Sequence, residues 1–169
     1  MAGQLIQVAT ETVSSAVASV TLTGIDSDDV YMVAINNFVS VSDGTTLRAK
    51  VTVSGTPQTV SNYSRANKVL KSNTSFSNDA TTQAAFYLAN AIGSATNEQT
   101  NLIMYLYNFN NSSEYSFITN EVAFITSSGN LQGRQGGAVY TVAEANDGLQ
   151  FFAGTGNIES GTFTLYKVV

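Results

Sequence analysis

Apolar and polar residues alternate along almost the whole chain, and this period of two restricts the fold more than any other feature. Leu47, Ala49, Val51 and Val53 alternate with Arg48, Lys50 and Thr52. Successive side chains of a strand point to opposite faces, so such a segment is a strand with one face in a core. Similar runs occur at Leu5–Val13, Ala16–Thr23, Val30–Val41, Leu102–Phe109, Glu114–Thr126, Ala138–Val142, Leu149–Ala153 and Thr162–Val168, with a weaker one at Lys68–Leu70. Clusters of Gly, Asn, Asp and Ser separate most of them, as turns require. The pattern predicts an all-β, antiparallel sandwich of about eight to ten strands, a single domain over residues 1–169.

Asp79–Ile92 reads as either a helix or a strand. Asp79 stands as N-cap, Ala85, Leu88, Ala89 and Ile92 have the spacing of one helical face, and Gly93 is a stop. A strand at Ala84–Ala89 fits equally. Leu102–Phe109 is apolar on both faces, Leu102, Met104 and Leu106 against Ile103, Tyr105, Tyr107 and Phe109. It is expected to be central in a sheet or to lie at an interface. Tyr105, Tyr107 and Phe109 are therefore candidate partner contacts. Arg134, in the glycine-rich stretch Gly133–Gly137, is a fourth, on a loop expected to be mobile.

Composition narrows function mainly by exclusion. The chain has no Cys and no His, so thiolate nucleophiles, imidazole triads and Cys- or His-ligated metals are ruled out. Two carboxylates around a sugar cleft are the remaining hydrolytic option, and Glu114 and Glu121, an odd number apart, are expected on opposite faces. Asp26, Ser27, Asp28 and Asp29 bring three carboxylates together, but an EF-hand loop would need Gly and Glu where Tyr31 and Asn37 stand, so a solvated turn is expected. No catalytic, cofactor-binding or metal-binding residue is assigned, and no enzyme is expected.

Seven basic residues against twelve acidic ones leave no basic stripe for phosphates, so neither nucleic acid nor a membrane surface is an expected partner. Only 11% of residues are charged, while Ser, Thr and Asn make up roughly a third of the positions. Such a surface repels copies of itself weakly and suits a protein that packs against neighbours. The first residues lack the basic and apolar regions of a secretory signal, and no apolar run is long enough for a membrane-spanning helix, so a soluble chain beginning at Met1 is expected.

Three segments, in order, resemble a jelly-roll domain of bacteriophage virion proteins, a group that includes capsid decoration proteins and tail or head fibre domains. The first is Thr10–Ile25, TETVSSAVASVTLTGI, similar to an opening strand pair that ends Thr-Gly-Ile. The second combines Asn62-Tyr63-Ser64, similar to a mid-domain turn, with the aromatic strand Tyr105–Phe109. The third is Ile158–Tyr166, similar to a closing strand behind a glycine-bearing turn. Two positions depart from the family: Lys167 stands where a glycine is usual, and Val30-Tyr31-Met32 replaces an Asp-Leu pair. The resemblance implies a virion structural protein made in the host cytoplasm and carried on the outer capsid surface or the tail. The first expectation is a capsid decoration, or cement, protein, a homotrimer bound to the major capsid protein. The alternative is a fibre tip that binds host-surface carbohydrate. Because the strands reach Val169, attachment is expected through the folded surface itself.

Overall fold

A computed structural model describes residues 3–169. The strands are β1 (Leu5–Val13), β2 (Ser19–Thr23), β3 (Tyr31–Ser40), β4 (Thr45–Val53), β5 (Thr56–Pro57), β6 (Tyr63–Lys71), β7 (Ser77–Gln83), β8 (Phe86–Ile92), β9 (Thr100–Tyr107), β10 (Ser116–Ile125), β11 (Leu131–Tyr140), β12 (Gly148–Ala153) and β13 (Ile158–Val168). The large sheet has the order β1-β13-β3-β9-β10-β11-β6-β7. The small sheet runs β2-β12-β4-β5, with β8 also paired to β4. All pairings are antiparallel.

Four of these pairs are nested: β1 with β13, β2 with β12, β3 with β9 and β4 with β8. The outermost pair belongs to the large sheet, the next to the small one, and so on alternately, so the chain wraps one core. The remaining strands are two excursions. β5–β7 leave between β4 and β8, β10–β11 leave between β9 and β12, and β10, β11, β6 and β7 extend the large sheet beyond β9.

Alternation buries one side chain in two on each inner face. In β10, Ser116, Ile118, Asn120, Val122 and Phe124 are buried, while Phe117, Thr119, Glu121 and Ala123 face outward. Phe163 of the large sheet lies 5.6 Å from Phe151 of the small one and edge-on to Phe38 at 6.3 Å between ring centroids. Tyr63 meets Phe86 edge-on at 4.8 Å, donates its hydroxyl hydrogen to the Gln58 carbonyl and accepts from the Val51 amide. These aromatic contacts join the sheets at both ends of the core.

The all-β antiparallel sandwich matches the sequence expectation, with thirteen strands among the described residues rather than eight to ten. Of the two readings of 79–92, the helix is replaced by β7 and β8, and the strand offered at Ala84–Ala89 falls on β8 from Phe86 onward. Two register shifts break the pairing of β8 with β4, and Ala91 has a φ of 57°. Ala85, Leu88, Ala89 and Ile92 are all buried, as the helical reading required, but irregularities in a strand produce their spacing. Asp79 caps nothing; it lies in β7. The mobile loop expected at Gly133–Gly137 is the middle of β11, in unbroken register with β10 and β6. Its glycines are sites of close approach: a Cβ on Gly136 would overlap the Ala66 carbonyl oxygen. Tyr63 and Ser64, expected in a turn, begin β6.

Candidate functional site

The outer face of the large sheet carries an apolar band that none of the described residues covers. Cross-strand register brings it together from distant parts of the chain. Ile103 of β9 pairs with Glu121 of β10, which pairs with Gln135 of β11, which pairs with Lys68 of β6. One row along, Asn101, Ala123, Gly133 and Leu70 are matched. Gly133 and Ala123 present almost no side chain there, so the sheet surface drops between Leu70 and Ile103.

Phe76, in the turn before β7, and Leu131, at the start of β11, close the trough into a groove of about 670 Å3. Phe76 and Leu131 are both more than half exposed, and Ile103 is 49% exposed. Glu121 lines the groove from the outward face of β10, Lys71 borders it at the end of β6, and Gln135 donates to Glu121 Oε1 at 2.8 Å. A second depression of about 310 Å3 shares Ile103 and continues over Thr119 and Gly136 to Tyr105. Phe117 lies exposed at the far end of the same face. An antiparallel sheet with one solvated face normally shows polar residues there, and a contiguous apolar band marks an interaction surface. The groove offers shape and apolar area with a few polar groups at its rim, which equips it to bind.

Of the four candidate contacts, two lie on this face. Tyr105 is exposed, and Tyr107 is half-buried with its hydroxyl 3.4 Å from that of Thr119. Phe109 is buried in the core, because Asn108 takes a φ of 58° after β9 and ends the alternation that would have turned it outward. Arg134 occupies an inward position of β11 and is 5% exposed, so it does not present its side chain to a partner.

Behind the groove, where the Asp79 side chain stays 23% exposed, Arg134 instead belongs to a largely buried ion cluster. Its Nη1 donates to Asp79 Oδ2, and Arg65 grips the same carboxylate through Nε at 3.3 Å and Nη2 at 2.9 Å. Burial pushes the Asp79 carboxyl up, but the hydrogen bonds and charges of Arg65 and Arg134 outweigh it and hold the group below its ordinary range. Burial lowers the Arg134 guanidinium, with Asp79 working against that. The Arg65 guanidinium also lies 4.6 Å from the centre of the Tyr87 ring, and Arg48 lies 4.1 Å from the same ring.

Sequence reasoning misses Leu70, Phe76, Leu131 and Gly133. Two signals point toward them: the double-sided apolarity of β9, and Gly133 and Gly137 alternating with Gln135 across from it.

The carboxylates of residues 26–29 are occupied by the protein itself. Lys167 Nζ lies 2.7 Å from Asp29 Oδ2 and 3.9 Å from Asp26 Oδ1, Tyr31 donates to Asp26, and Asn111 donates to Asp28. Glu114 lies outside β10, and Glu121 faces the groove, so the two do not form a facing pair.

No family model matches the chain, and no curated protein does either. Among solved structures, the chain is similar to a crystal structure of the infectious bursal disease virus VP2 subviral particle, at 14% identity and a TM-score of 0.14, over 99% of this chain and 41% of that one. A structure of infectious bursal disease virus, Gt strain, gives 12% identity and a TM-score of 0.13, over 99% and 42%. The chain spans about two fifths of the chains it is aligned to. TM-scores of this size are too low to indicate a shared fold.

Proposed function

We propose that the chain is a bacteriophage virion structural protein, a capsid decoration protein that binds the major capsid protein through the outer face of its large sheet. The observation that carries this reading is the uncovered apolar band from Leu131 and Ile103 through Tyr105 to Phe117, on the central part of the sheet. Weak surface charge favours the same use, since close packing of many copies then meets little repulsion.

The nested strand pairs support a jelly-roll description of the sandwich. Taking β1-β13-β3-β9 as one sheet and β2-β12-β4-β8 as the other gives two four-stranded layers from a single folded-over ribbon, an architecture used by viral capsid and lectin domains among others. On this reading β10, β11, β6 and β7 are an added wing, and the wing carries most of the apolar band.

The test is the copy number of the chain in purified virions. Numbers comparable to the major capsid protein are expected. A few copies per particle would overturn the decoration role in favour of a fibre tip. Sizing of the recombinant chain tests the oligomer separately: a trimer is expected, and a monomer at high concentration would remove it.

A further inference from the structure

Behind the groove, four buried polar atoms have no hydrogen-bond partner among the described residues: Arg65 Nη1, Asn67 Oδ1, Asn120 Nδ2 and Arg134 Nε. Register places them together. Asn67 and Asn120 both pair with Gly136, one from each side, and Arg65 and Arg134 are each two residues away on the same inner face. The Asn67 side chain leans over Gly136, its Oδ1 filling the space where a Cβ would stand. Asn67, Asn120 and Arg134 are each less than one-tenth exposed.

The charge does not balance. Among the described residues, Asp79 is the only carboxylate within 4.0 Å of Arg65 or Arg134, so two guanidiniums share one negative charge. An uncompensated guanidinium out of water is costly, and so is each unmatched buried donor. A water molecule would satisfy the hydrogen bonds and leave the charge. An anion answers both.

We propose that this cluster is a binding site for a small monovalent inorganic anion of the halide class. Arg134 Nε, Arg65 Nη1 and Asn120 Nδ2 donate to it. Asn67 turns its amide nitrogen toward it, an exchange of amide ends that costs no packing because the two ends have the same shape. The burial of Asn67, Asn120 and Arg134 keeps out a ligand as large as a sugar or a nucleotide. Occupation locks β6, β10 and β11 together beneath the groove, so the anion acts as a structural ligand of the wing.

Thermal unfolding in sodium bromide, exchanged for sodium gluconate at constant ionic strength, tests the proposal. Above the dissociation constant, the midpoint should rise by about 3–6 °C for each tenfold increase in bromide. Asn120→Asp builds the missing negative charge into the site, so its midpoint should no longer respond to bromide. Crystals grown in bromide should show an anomalous peak within hydrogen-bond distance of Arg134 Nε and Asn120 Nδ2. A bromide-independent midpoint in the wild-type protein would overturn the proposal, as would water without anomalous signal at that position. So would a folded Asn120→Asp variant that keeps the wild-type response. Should that variant not fold, the wild-type titration and the diffraction experiment decide the question.

Discussion

Lys167 Nζ sits 2.7 Å from Asp29 Oδ2 and, through the hydroxyl of Ser27 at 2.8 Å, closes the turn between β2 and β3 against the last strand. Lys167 thus has a local purpose. It neutralises part of a turn that carries three carboxylates in four residues, and it does so from β13, the strand that pairs with both β1 and β3.

This arrangement sets a pH window. The Lys167 hydrogen bond and charge hold Asp29 below its ordinary value of 3.8; Asp26 is lowered first by the Tyr31 hydroxyl and then by Lys167; Lys167 is raised above 10.5 chiefly by Asp29. Depressed carboxylates stabilise the fold above the unfolded value and lose that effect as pH falls through the folded one; a raised ammonium does so below its unfolded value and loses it as pH rises. The contribution is therefore complete between about pH 4 and pH 10. Lys167→Met should lower the thermal midpoint modestly within that window, with the gap from wild type narrowing in acid, in strong alkali and in high salt. Midpoints of both proteins across pH and salt check this; a gap independent of both would assign the effect to packing alone.

Phe163 contacts Phe38 within the large sheet and Phe151 across the core, and is fully buried. Truncation removes the ring that spans the layers and leaves a cavity between strands that cannot collapse without breaking the β13 pairings. Phe163→Ala should cost about 3–5 kcal/mol. Equilibrium urea unfolding measures it as a lower midpoint with an unchanged slope.

The strands with one apolar and one polar face are legible in the sequence. β1 falls on Leu5–Val13 as expected, and the alternation of Leu47, Ala49 and Val51 reports their burial correctly. Three failures have distinct physical causes. β7 reads Ser-Asn-Asp-Ala-Thr-Thr-Gln, and as an edge strand it is held by hydrogen bonds to β6 rather than by an apolar pattern. β8 has register shifts that counterfeit a helical period. β11 has glycines that mark close approach to neighbouring carbonyls, where local reasoning finds a loop. The site divides in the same way. Ile103 and Tyr105 are visible in the double-sided apolarity of β9, whereas Leu70 and Phe76 join them only through the register of β6 with β11. Arg134 reads as a surface residue because the carboxylate that draws it inward, Asp79, is remote in sequence and lies in a strand without an apolar pattern.

Gly136 gives that third cause a test. Its missing side chain lets Asn67 lie across β11, and a methyl group would overlap both the Ala66 carbonyl oxygen and Asn67 Oδ1. The carbonyl belongs to a paired strand and cannot rotate away, so β6 must shift. Gly136→Ala should cost about 1–3 kcal/mol as overpacking, in contrast to an alanine substitution at an open strand position. Equal or greater stability in urea would show that β6 has room that the register does not suggest.

Ile103 tests the outer face without disturbing the core. It pairs with Glu121, so a lysine placed there gains a cross-strand carboxylate, and its charge reaches solvent while the buried packing stays intact. Ile103→Lys should change stability by less than about 0.5 kcal/mol, the range of ordinary surface substitutions. Its binding to capsids that lack the chain should nonetheless weaken about tenfold or more, since a charge replaces an apolar anchor at the centre of the proposed docking face. Ile6→Lys is the matching control, an equally exposed isoleucine on edge strand β1 at the other end of the sheet. Cosedimentation of both variants with capsids separates the possibilities. Loss for Ile103→Lys with retention for Ile6→Lys is expected from docking through the β9–β11 face, and wild-type binding by a folded Ile103→Lys would place the docking surface elsewhere.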